Sequence, residues 1–479
     1  MPRRKMKRLL KKICVFVAVG IVLVPTLFIV LDLSSHSKHK NMVTSSTKSK
    51  EFQKLKSTPN QNLLQEEFLA NSQKAKDVNE IADPGENIFL PQKNSYESCL
   101  LKVRNDKVQF QELLTGSIIY SAFLDYRFKE QAFVRLISIL PAYGEVPQMY
   151  CHFMDLDTYE FFTSVVEVEE LGINHGYSYQ GFISSCDLPE QIDSYTLCSV
   201  NISVEPEADL QTTENTRVIP LHVVDRRVNT ETYSLCVPPT SGDISARRLV
   251  EFIELSQILG VSHLTFYNSK ASDKTLEILK HYKEKGLVNI IPWELPEHIA
   301  LNIQDEGQTI ALNDCLYRNM EQFDYIAFNN LDEFIVPFQD KRVPQIFQSL
   351  IDEDIAGYCF QSFTFYTTNS VVNNSRSQLF TQKFTSRAKS PTTRLSRCVA
   401  SPQKVFSVDL NAITNPSETY YITRDLEPSL GYVFHYDECY NAERDCADSY
   451  QDLTMEKYRN ELEMRFNMTV SSLRLSGLV

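Results

Sequence analysis

Strand-like and helix-like segments alternate through the second half of the chain, and this alternation restricts its possible folds more than any other feature. Short apolar segments rich in β-branched and aromatic residues, as is typical of strands, lie at 232–239, 263–269, 287–293 and 325–329. The segments between them have helical spacing: Leu249 to Leu259 before Gly260, a stretch from Ser272 or Asp273 to Gly286, and residues 308–320. Successive strands joined by helices of this length need crossover connections, which predicts a mostly parallel sheet covered on both faces.

This pattern predicts an α/β domain with a Rossmann-like strand arrangement over residues 217–479. The domain lacks a G-x-G-x-x-G turn, so the fingerprint of nicotinamide and flavin binding is missing. Residues 93–216 differ, because their β-branched and aromatic runs are broken by turn residues and predict a β-rich module. The polar segment 207–216 is the predicted link between the two parts.

The N-terminus predicts a membrane anchor. Residues 13–31 carry no charge, and at about 1.5 Å per residue a helix of this length spans roughly one hydrocarbon core. The apolar run is longer than that of a cleaved signal peptide and is followed by a poor cleavage site. Because seven cations precede the run, we expect a cytosolic tail over 1–12, a signal anchor over 13–33 and a stem over 34–92, with the rest of the chain lumenal.

Charge and cysteine content agree with a secretory-pathway protein. The net charge of -13 gives a nucleic acid no electrostatic attraction and excludes that class of partner. Ten of the eleven cysteines lie beyond the apolar run without paired C-x-x-C spacing, which favours disulfides, although we expect Cys315 and Cys359 to be buried free thiols. Sequons at Asn201, Asn373 and Asn467 are usable only on the lumenal side.

The candidate chemistry lies just after the strand predicted at 325–329. Ligands of open α/β sheets bind beyond the carboxyl ends of the strands, where Asn330, Asp332 and Glu333 fall. A divalent cation held there could bridge a nucleotide diphosphate and neutralise it as a leaving group, which is transferase chemistry. The alternative is an ordinary solvated acid at a strand end. The strict D-x-D patterns at 155–157 and 352–354 are set aside, since they fall in the β-rich module and at a helix end.

Several segments together resemble glycosyltransferase family 92. The segments are SIIYSAFLDYRF, YSYQGFISSCDLP, CVPPTSGD, LVEFIELSQILGVSHLTFYN, LKHYKEKGLVNIIPWELP, ALNDCLYRN, YIAFNNLDEFIVP and GYVFHYDECYN, in the order found in the family. The resemblance covers roughly residues 95 to 470. It implies a GT-A type fold, a type II Golgi membrane protein, UDP-galactose as donor, Mn²⁺ as cofactor and inversion to a β-galactoside. Acceptors in the family include fucose on N-glycan cores.

By position, the resemblance implies that Asp332 is the main metal carboxylate and His435 a late metal ligand. Asn330 stands where family members commonly have Asp, and it offers an oxygen ligand without a charge. Asp437 stands where the family usually has Arg, which removes a cation beside the diphosphate. These two departures support the alternative of a catalytically silent lumenal protein that binds glycans or other proteins. Without the resemblance, a packed core residue is the usual meaning of a histidine such as His435.

Other candidates keep two interpretations each. Asp314 and Arg318 lie four apart on one helix and form either an ion pair or a surface that reaches the nucleotide. Tyr267 and Asn268 end a strand and either contact the uridine or, for Asn268, form a turn.

The general base is not identified by the sequence. An inverting transfer needs an acid within hydrogen-bond reach of the acceptor hydroxyl. Glu333 is the nearest candidate and could instead orient Asp332, and the others are Asp425, Asp437 and Glu438. A basic stretch either holds the diphosphate or is a solvated loop, and it consists of Arg387, Arg394, Arg397 and Lys404. A metal-dependent hydrolase is excluded because no binuclear His/Asp spacing is present.

Overall fold

The structure is a computed structural model. It describes residues 53–54, 110–113, 116–128, 131–144, 146–155, 160–192, 197–206, 216–222, 231–350, 352–367, 377, 379–439 and 449–475. The predicted tail, signal anchor and stem lie outside the described residues apart from 53–54. Among the helices of the described part, none is long and apolar enough to cross a membrane.

The β-rich module predicted at 93–216 is a ten-stranded, mostly antiparallel sheet. Its strands are β1 (Gln53–Lys54), β2 (Gln111–Glu112), β3 (Ile118–Asp125), β4 (Phe133–Pro141), β5 (Tyr150–Met154), β6 (Phe161–Val165), β7 (Glu167–Glu170), β8 (Tyr179–Asp187), β9 (Ser199–Ser203) and β10 (Thr216–His222). The order is β1-β6-β5-β9-β10-β3-β4-β8-β7, and β2 pairs with β3.

The boundary of this module lies further along the chain than predicted. Strand β10 pairs with β9 from Thr216 to Pro220 and with β3 at Leu221 and His222. Residues 217–222, which the sequence assigned to the second domain, therefore belong to the first sheet. The alternating apolar side chains of β10 explain this, since Ile219 and Leu221 are buried in the core of the module.

The second sheet has eleven strands. They are β11 (Glu231–Gly242), β12 (His263–Ala271), β13 (Val288–Pro292), β14 (Phe323–Phe328), β15 (Glu333–Pro337), β16 (Ile355–Tyr366), β17 (Ser386–Ala388), β18 (Thr392–Ala400), β21 (Ile422–Asp425), β22 (Gly431–Asp437) and β23 (Ser449–Gln451). A separate hairpin consists of β19 (Val405–Asp409) and β20 (Ala412–Pro416).

Seven α-helices occur in the described part of the chain. They are α1 (Ala246–Ile258), α2 (Asp273–Glu284), α3 (Glu297–Ala300), α4 (Gln308–Asn319), α5 (Val343–Gln348), α6 (Phe380–Lys383) and α7 (Arg459–Leu475). Short 3₁₀ turns lie at Gln304–Gly307, Pro402–Lys404 and Thr454–Tyr458. The predicted helix signals hold: the Ser272 side chain caps α2 at Thr275, and Gly260 and Gly286 follow α1 and α2 with positive φ.

The predicted parallel sheet is confirmed for four strands in the order β13-β12-β11-β14, all parallel. From β11 the chain moves outward through β12 and β13 and then returns to place β14 on the other side of β11. The strand order therefore reverses between β11 and β14, which is where ligands bind in such sheets. Strands β18, β16, β22 and β15 extend the sheet beyond β14. Their pairs are antiparallel except that of β16 with β22, which is parallel.

Both faces of the parallel sheet are covered, as expected for a parallel sheet. Helices α1, α2 and α7 pack on one face with side chains such as Phe252, Leu279 and Leu462. Helix α4 covers the other face, and its apolar residues share a core with Phe123 and Ile137 of the β-rich module. The two modules are therefore joined by a continuous hydrophobic core.

Three disulfides join described residues: Cys151–Cys186, Cys236–Cys315 and Cys359–Cys398. They confirm the prediction of disulfides and correct the expectation that Cys315 and Cys359 are free thiols. Cys315 lies on α4 against the middle of β11, where its Cα is 6.2 Å from that of Cys236. Cys359 and Cys398 lie directly opposite each other on β16 and β18. Apolar surroundings alone therefore did not distinguish a buried thiol from a buried half-cystine.

Candidate functional site

A cleft of about 400 Å³ opens at the carboxyl ends of β11 and β14. Its lining comes from the end of β11, the start of α1, the start of α4 and the turn after β14. The lining residues are Val237, Pro238, Pro239, Thr240, Ser241, Ile244, Ser245, Arg248, Leu249, Gln308, Asn330, Leu331 and Asp332. The cleft therefore lies at the reversal of strand order and contains two of the three residues predicted beyond the fourth strand, Asn330 and Asp332.

Asp332 and His435 meet beside this cleft. Strand β15 begins at Glu333 and pairs antiparallel with β22, so that Glu333 lies opposite His435. The Tyr436 N–H donates to the Asp332 carbonyl at 2.9 Å, which holds the turn against β22. His435 Nε2 lies 3.7 Å from Asp332 Oδ2 and 4.0 Å from Glu333 Oε1.

The geometry of this cluster fits a single bound cation. The ligand atoms of Asp332, Glu333 and His435 all lie within 4.8 Å of one another. Metal–ligand bonds of about 2 Å place two ligands of one ion at most about 4 Å apart, so the 3.7 Å between His435 and Asp332 suits a shared ion. A carboxylate and an imidazole form an oxygen and nitrogen donor set for a divalent metal, and Asn330 lines the adjoining cleft.

His435 is held between negative charges. Burial lowers the pKa of its imidazole, but the contact with Asp332 and the charges of Glu333, Asp332 and Asp437 outweigh burial and raise the pKa above its ordinary value. Nδ1 is buried and has no hydrogen-bond partner among the described residues. The site therefore favours a positive charge next to Asp332, as a proton or as a metal ion.

The carboxylate of Glu333 is fully engaged. Glu333 is 1 % exposed, and Arg397 donates to both of its oxygens, from Nε to Oε2 at 2.7 Å and from Nη2 to Oε1. The Asn330 N–H also donates to Oε2 at 2.9 Å. This network fits the second role considered for Glu333, orientation of the turn that carries Asp332, and leaves its carboxylate without access to an acceptor.

Three of the predicted donor-binding residues lie in a buried network away from the cleft. Tyr267 and Asp314 are 0 % exposed, and the Tyr267 hydroxyl donates to Asp314. Arg318 donates to both Asp314 oxygens at 2.9 Å, and Ser121 of the β-rich module donates to the same carboxylate at 2.5 Å. The expectation that Tyr267, Asp314 and Arg318 reach the nucleotide is therefore corrected, because α4 turns this face into the junction between the modules. The ion-pair interpretation describes Asp314 and Arg318.

Of the two interpretations given for Asn268, the structure agrees with turn formation. Its Oδ1 accepts the N–H of Ala271 at 2.9 Å, and its carbonyl accepts the N–H of Trp293 at 2.8 Å. It does not line the cleft.

The basic stretch is neither a diphosphate clamp nor a uniformly solvated loop. Arg397 is buried against Glu333, and Arg387 pairs with Asp452 at 2.7 Å. Arg394 is exposed, and Lys404 lies over the ring of Tyr421. Two of the four cations are thus used to hold the structure together.

Arg248 is the cleft residue that the sequence analysis missed. It lies in the first turn of α1 and is half-buried, and its guanidinium lies 3.5 Å from the ring centroid of Phe380. One feature of the sequence could have indicated it. Arg248 lies in the first turn of a predicted helix that has no acid there, and a cation in this position is unfavourable next to the positive end of the helix dipole.

Two of the three sequons fall on described residues. Asn201 is half-buried within β9, and Asn467 is exposed on α7, although Thr469 of its sequon is buried and donates to Glu254 at 2.7 Å. Asn373 lies outside the described residues.

The fold and the cleft define the class of protein. A parallel α/β sheet with a carboxylate and an imidazole at its strand-order reversal is a mixed α/β, Rossmann-like architecture with its candidate site where such sheets bind ligands. Residues 231–471 match the sequence model described as Glycosyltransferase family 92. The chain belongs to this family, as its sequence resemblance indicated.

Two relatives from Caenorhabditis elegans agree with this assignment. The Caenorhabditis elegans protein named beta-1,4-galactosyltransferase galt-1 is 25% identical over 429 residues, which cover 85% of this chain and 94% of the relative. A second C. elegans protein, named as a glycosyltransferase family 92 protein, is 28% identical over 112 residues, or 22% of each chain. Among solved structures, glucosyl-3-phosphoglycerate synthase from Mycobacterium tuberculosis with Mn²⁺, UDP-glucose and phosphoglyceric acid matches at a TM-score of 0.25 and 14% identity, over 51% of this chain and 78% of that chain.

Proposed function

We propose that this glycosyltransferase transfers galactose from UDP-galactose to a glycan, with inversion to a β linkage and with Mn²⁺ as cofactor. An acceptor of the type suggested by the family is fucose on an N-glycan core. Support comes from the family and from a relative named as a β-1,4-galactosyltransferase that aligns over 85% of the chain. The observation that carries the proposal is the 3.7 Å approach of Asp332 and His435 at the edge of the cleft.

Asp332 and His435 would hold the cation, and Asn330, which lines the same cleft, offers a further amide oxygen. A divalent cation bound there would neutralise the charge that develops on the departing diphosphate. Glu333 and Arg397 act behind these ligands: their buried ion pair fixes the turn through the Asn330 N–H, so that Asp332 keeps its orientation.

Inversion also needs a base for the acceptor hydroxyl. Glu333 is a poor candidate, because Arg397 donates hydrogen bonds to both of its carboxylate oxygens. The residues that follow His435 are better candidates. Asp437 is half-buried two residues further along β22, and its charge contributes to the raised pKa of His435, which supports a position close to the metal ligands. Glu438 follows it, and the Glu438 N–H donates to the Asp437 carboxylate at 2.7 Å. We propose Asp437 as the first candidate for the base and Glu438 as the second.

The test is UDP release by the full-length chain from a panel of UDP-sugars, with a core-fucosylated N-glycan as acceptor and with and without Mn²⁺. We expect Mn²⁺-dependent release with UDP-galactose, lost at least 100-fold in Asp332→Ala and in His435→Ala. Asp352→Ala is the matched control, since Asp352 belongs to a strict D-x-D pattern and its side chain makes exposed contacts, an ion pair with Arg424 and a hydrogen bond from the Asp354 N–H. Full activity in Asp332→Ala, or loss of activity in Asp352→Ala, would contradict the proposed metal site.

The second candidate function is a silent binding protein of the same fold. Asn330 and Asp437 favour it, since both lower the favourable charge around a metal and a diphosphate. Asn330→Asp distinguishes the two candidates. A gain in turnover over the natural chain would show that the missing carboxylate limits an enzyme, whereas donor binding without turnover in both forms supports the silent protein.

We also propose a type II Golgi membrane location with the described domains in the lumen. The proposal comes from the apolar segment 13–31, the cations before it and the sequons. Protease treatment of intact and opened vesicles tests it, together with N-glycosidase digestion of Asn201→Gln, Asn373→Gln and Asn467→Gln. A domain that is cleaved in intact vesicles and carries no N-glycan would contradict the proposal.

A further inference from the structure

We infer that Arg248 is the cation that binds the diphosphate of the donor, with Phe380 and Glu251 as the residues that position it. This inference rests on the proposed function, because it concerns the same cleft. The positive charge that binds the diphosphate would therefore come from the first turn of α1 and not from the basic stretch 387–404.

The first observation is the place of Arg248 in the cleft. Of the residues that line it, Arg248 is the one cation and Asp332 is the one carboxylate. Among the described residues Arg248 has no hydrogen-bond acceptor and no ion-pair partner, so its donors are available to a ligand. By contrast, Arg387 and Arg397 each donate to a carboxylate within 2.7 Å.

The second observation is the support under the guanidinium. Its central carbon lies 3.5 Å from the Phe380 ring centroid, which is a stacked cation–π contact. Phe380 is itself fixed by the buried carboxylate of Glu251, one turn along α1 from Arg248. Glu251 accepts the N–H of Phe380 at 2.6 Å and the N–H and hydroxyl of Thr381 at 2.7 and 2.8 Å. One face of Arg248 is therefore held, while its N–H edge is free.

The third observation is that Arg248 is placed at an electrostatic cost. Its position in the first turn of α1 puts a cation at the positive end of the helix dipole, and no acid in that turn offsets it. Burial lowers the pKa of the Arg248 guanidinium below its ordinary value, although the charges of Asp332 and Glu251 act to raise it. A positive side chain in this position is useful if the cleft receives a strongly anionic group.

The chemistry of the two groups matches. A guanidinium presents paired N–H donors that fit two phosphate oxygens, and stacking on an aromatic ring leaves that edge unobstructed. Without Arg248, the lining would contribute only the negative charge of Asp332. Arg248 would then add a positive charge to that of a cation held by Asp332, and this charge would partly compensate for the neutral side chain of Asn330.

The experiment measures binding of UDP and of uridine to the full-length chain by calorimetry, in the presence of Mn²⁺. We expect Arg248→Met to weaken UDP binding roughly 10- to 100-fold, as for loss of a charged hydrogen-bonded group, and to leave uridine binding unchanged. Arg248→Lys keeps the charge but not the paired donors, so an intermediate loss is expected. Phe380→Ala should weaken UDP by a few-fold without changing uridine.

Arg247→Met is the matched control, because Arg247 is the neighbouring arginine on α1, lies over Phe466 and does not line the cleft. UDP binding within twofold of the natural chain in Arg248→Met overturns the inference, as does an equal loss of UDP and uridine. If the natural chain binds neither molecule, the proposed function falls and the inference with it, so the two failures are distinguishable.

Discussion

The buried pair of Glu333 and Arg397 leads to a strong prediction about stability. The Arg397 and Glu333 side chains are 2 % and 0 % exposed, and two parallel hydrogen bonds join them. Arg397→Met removes the cation and leaves the Glu333 carboxylate in the core with the Asn330 N–H as its remaining close donor.

The magnitude follows from the cost of an unpaired buried charge. Removal of one partner of such a pair typically costs about 3–5 kcal/mol, whereas replacement of both by apolar residues is often nearly neutral. We therefore expect Arg397→Met to lower the free energy of unfolding by about 3–5 kcal/mol. In the double variant Glu333→Met with Arg397→Met, at least about 2 kcal/mol of this should be recovered.

Trp293 makes the assay direct, because it is the single tryptophan of the sequence and is fully buried. Its fluorescence in a urea titration reports the loss of the core between the two modules. A cost below about 1 kcal/mol for Arg397→Met would refute the reasoning. So would a double variant as unstable as the single one, since the cost would then not arise from an unpaired charge.

Three further predictions concern metal binding, pH and cross-linking. Mn²⁺ at about a hundred times its dissociation constant should stabilise the natural chain by about 2.7 kcal/mol and Asp332→Ala by almost nothing, which a thermal-shift titration checks. Burial lowers the pKa of His152 to about 4, so the unfolded chain binds more protons and stability should fall by up to about 3 kcal/mol as pH drops from about 6.5 to 4. Urea unfolding at several pH values should show a smaller fall in His152→Gln. Replacement of Cys236 and Cys315 by Ala should cost about 2–5 kcal/mol in the same urea assay, because the disulfide closes a long loop; an unchanged midpoint would contradict this.

Local patterns predicted the parallel part of the sheet well. The strand predicted at 263–269 is His263–Ala271, and the helix predicted from Ser272 or Asp273 begins at Asp273 with Ser272 as its cap. Such features depend on neighbours within a few residues, so periodicity and capping chemistry are sufficient to find them. The same patterns misplaced β10, because a short alternating strand carries no information about which sheet it joins.

In the candidate site, too, features that depend on nearby residues were predicted, and features that depend on distant residues were not. Position after a strand predicted where Asp332 lies, but it could not separate Asp332 from Tyr267, which also ends a strand and proved to be buried. The sequence did not indicate Arg248, because its role depends on Phe380, a residue of another segment that stacks beneath it. The sequence made Glu333 a candidate base, but in the structure its carboxylate forms a buried ion pair with Arg397.

The sequence by itself therefore determined the helices and parallel strands of the α/β core and the acid at the strand end, all of which depend on residues close together in the chain. Only the tertiary structure decided which side chains meet across long separations. His435 faces Glu333 because β22 pairs with β15 in one register, and Arg397 reaches Glu333 from 64 residues away. Strand register and side-chain pairing are set by packing of the whole core, and no local periodicity records them.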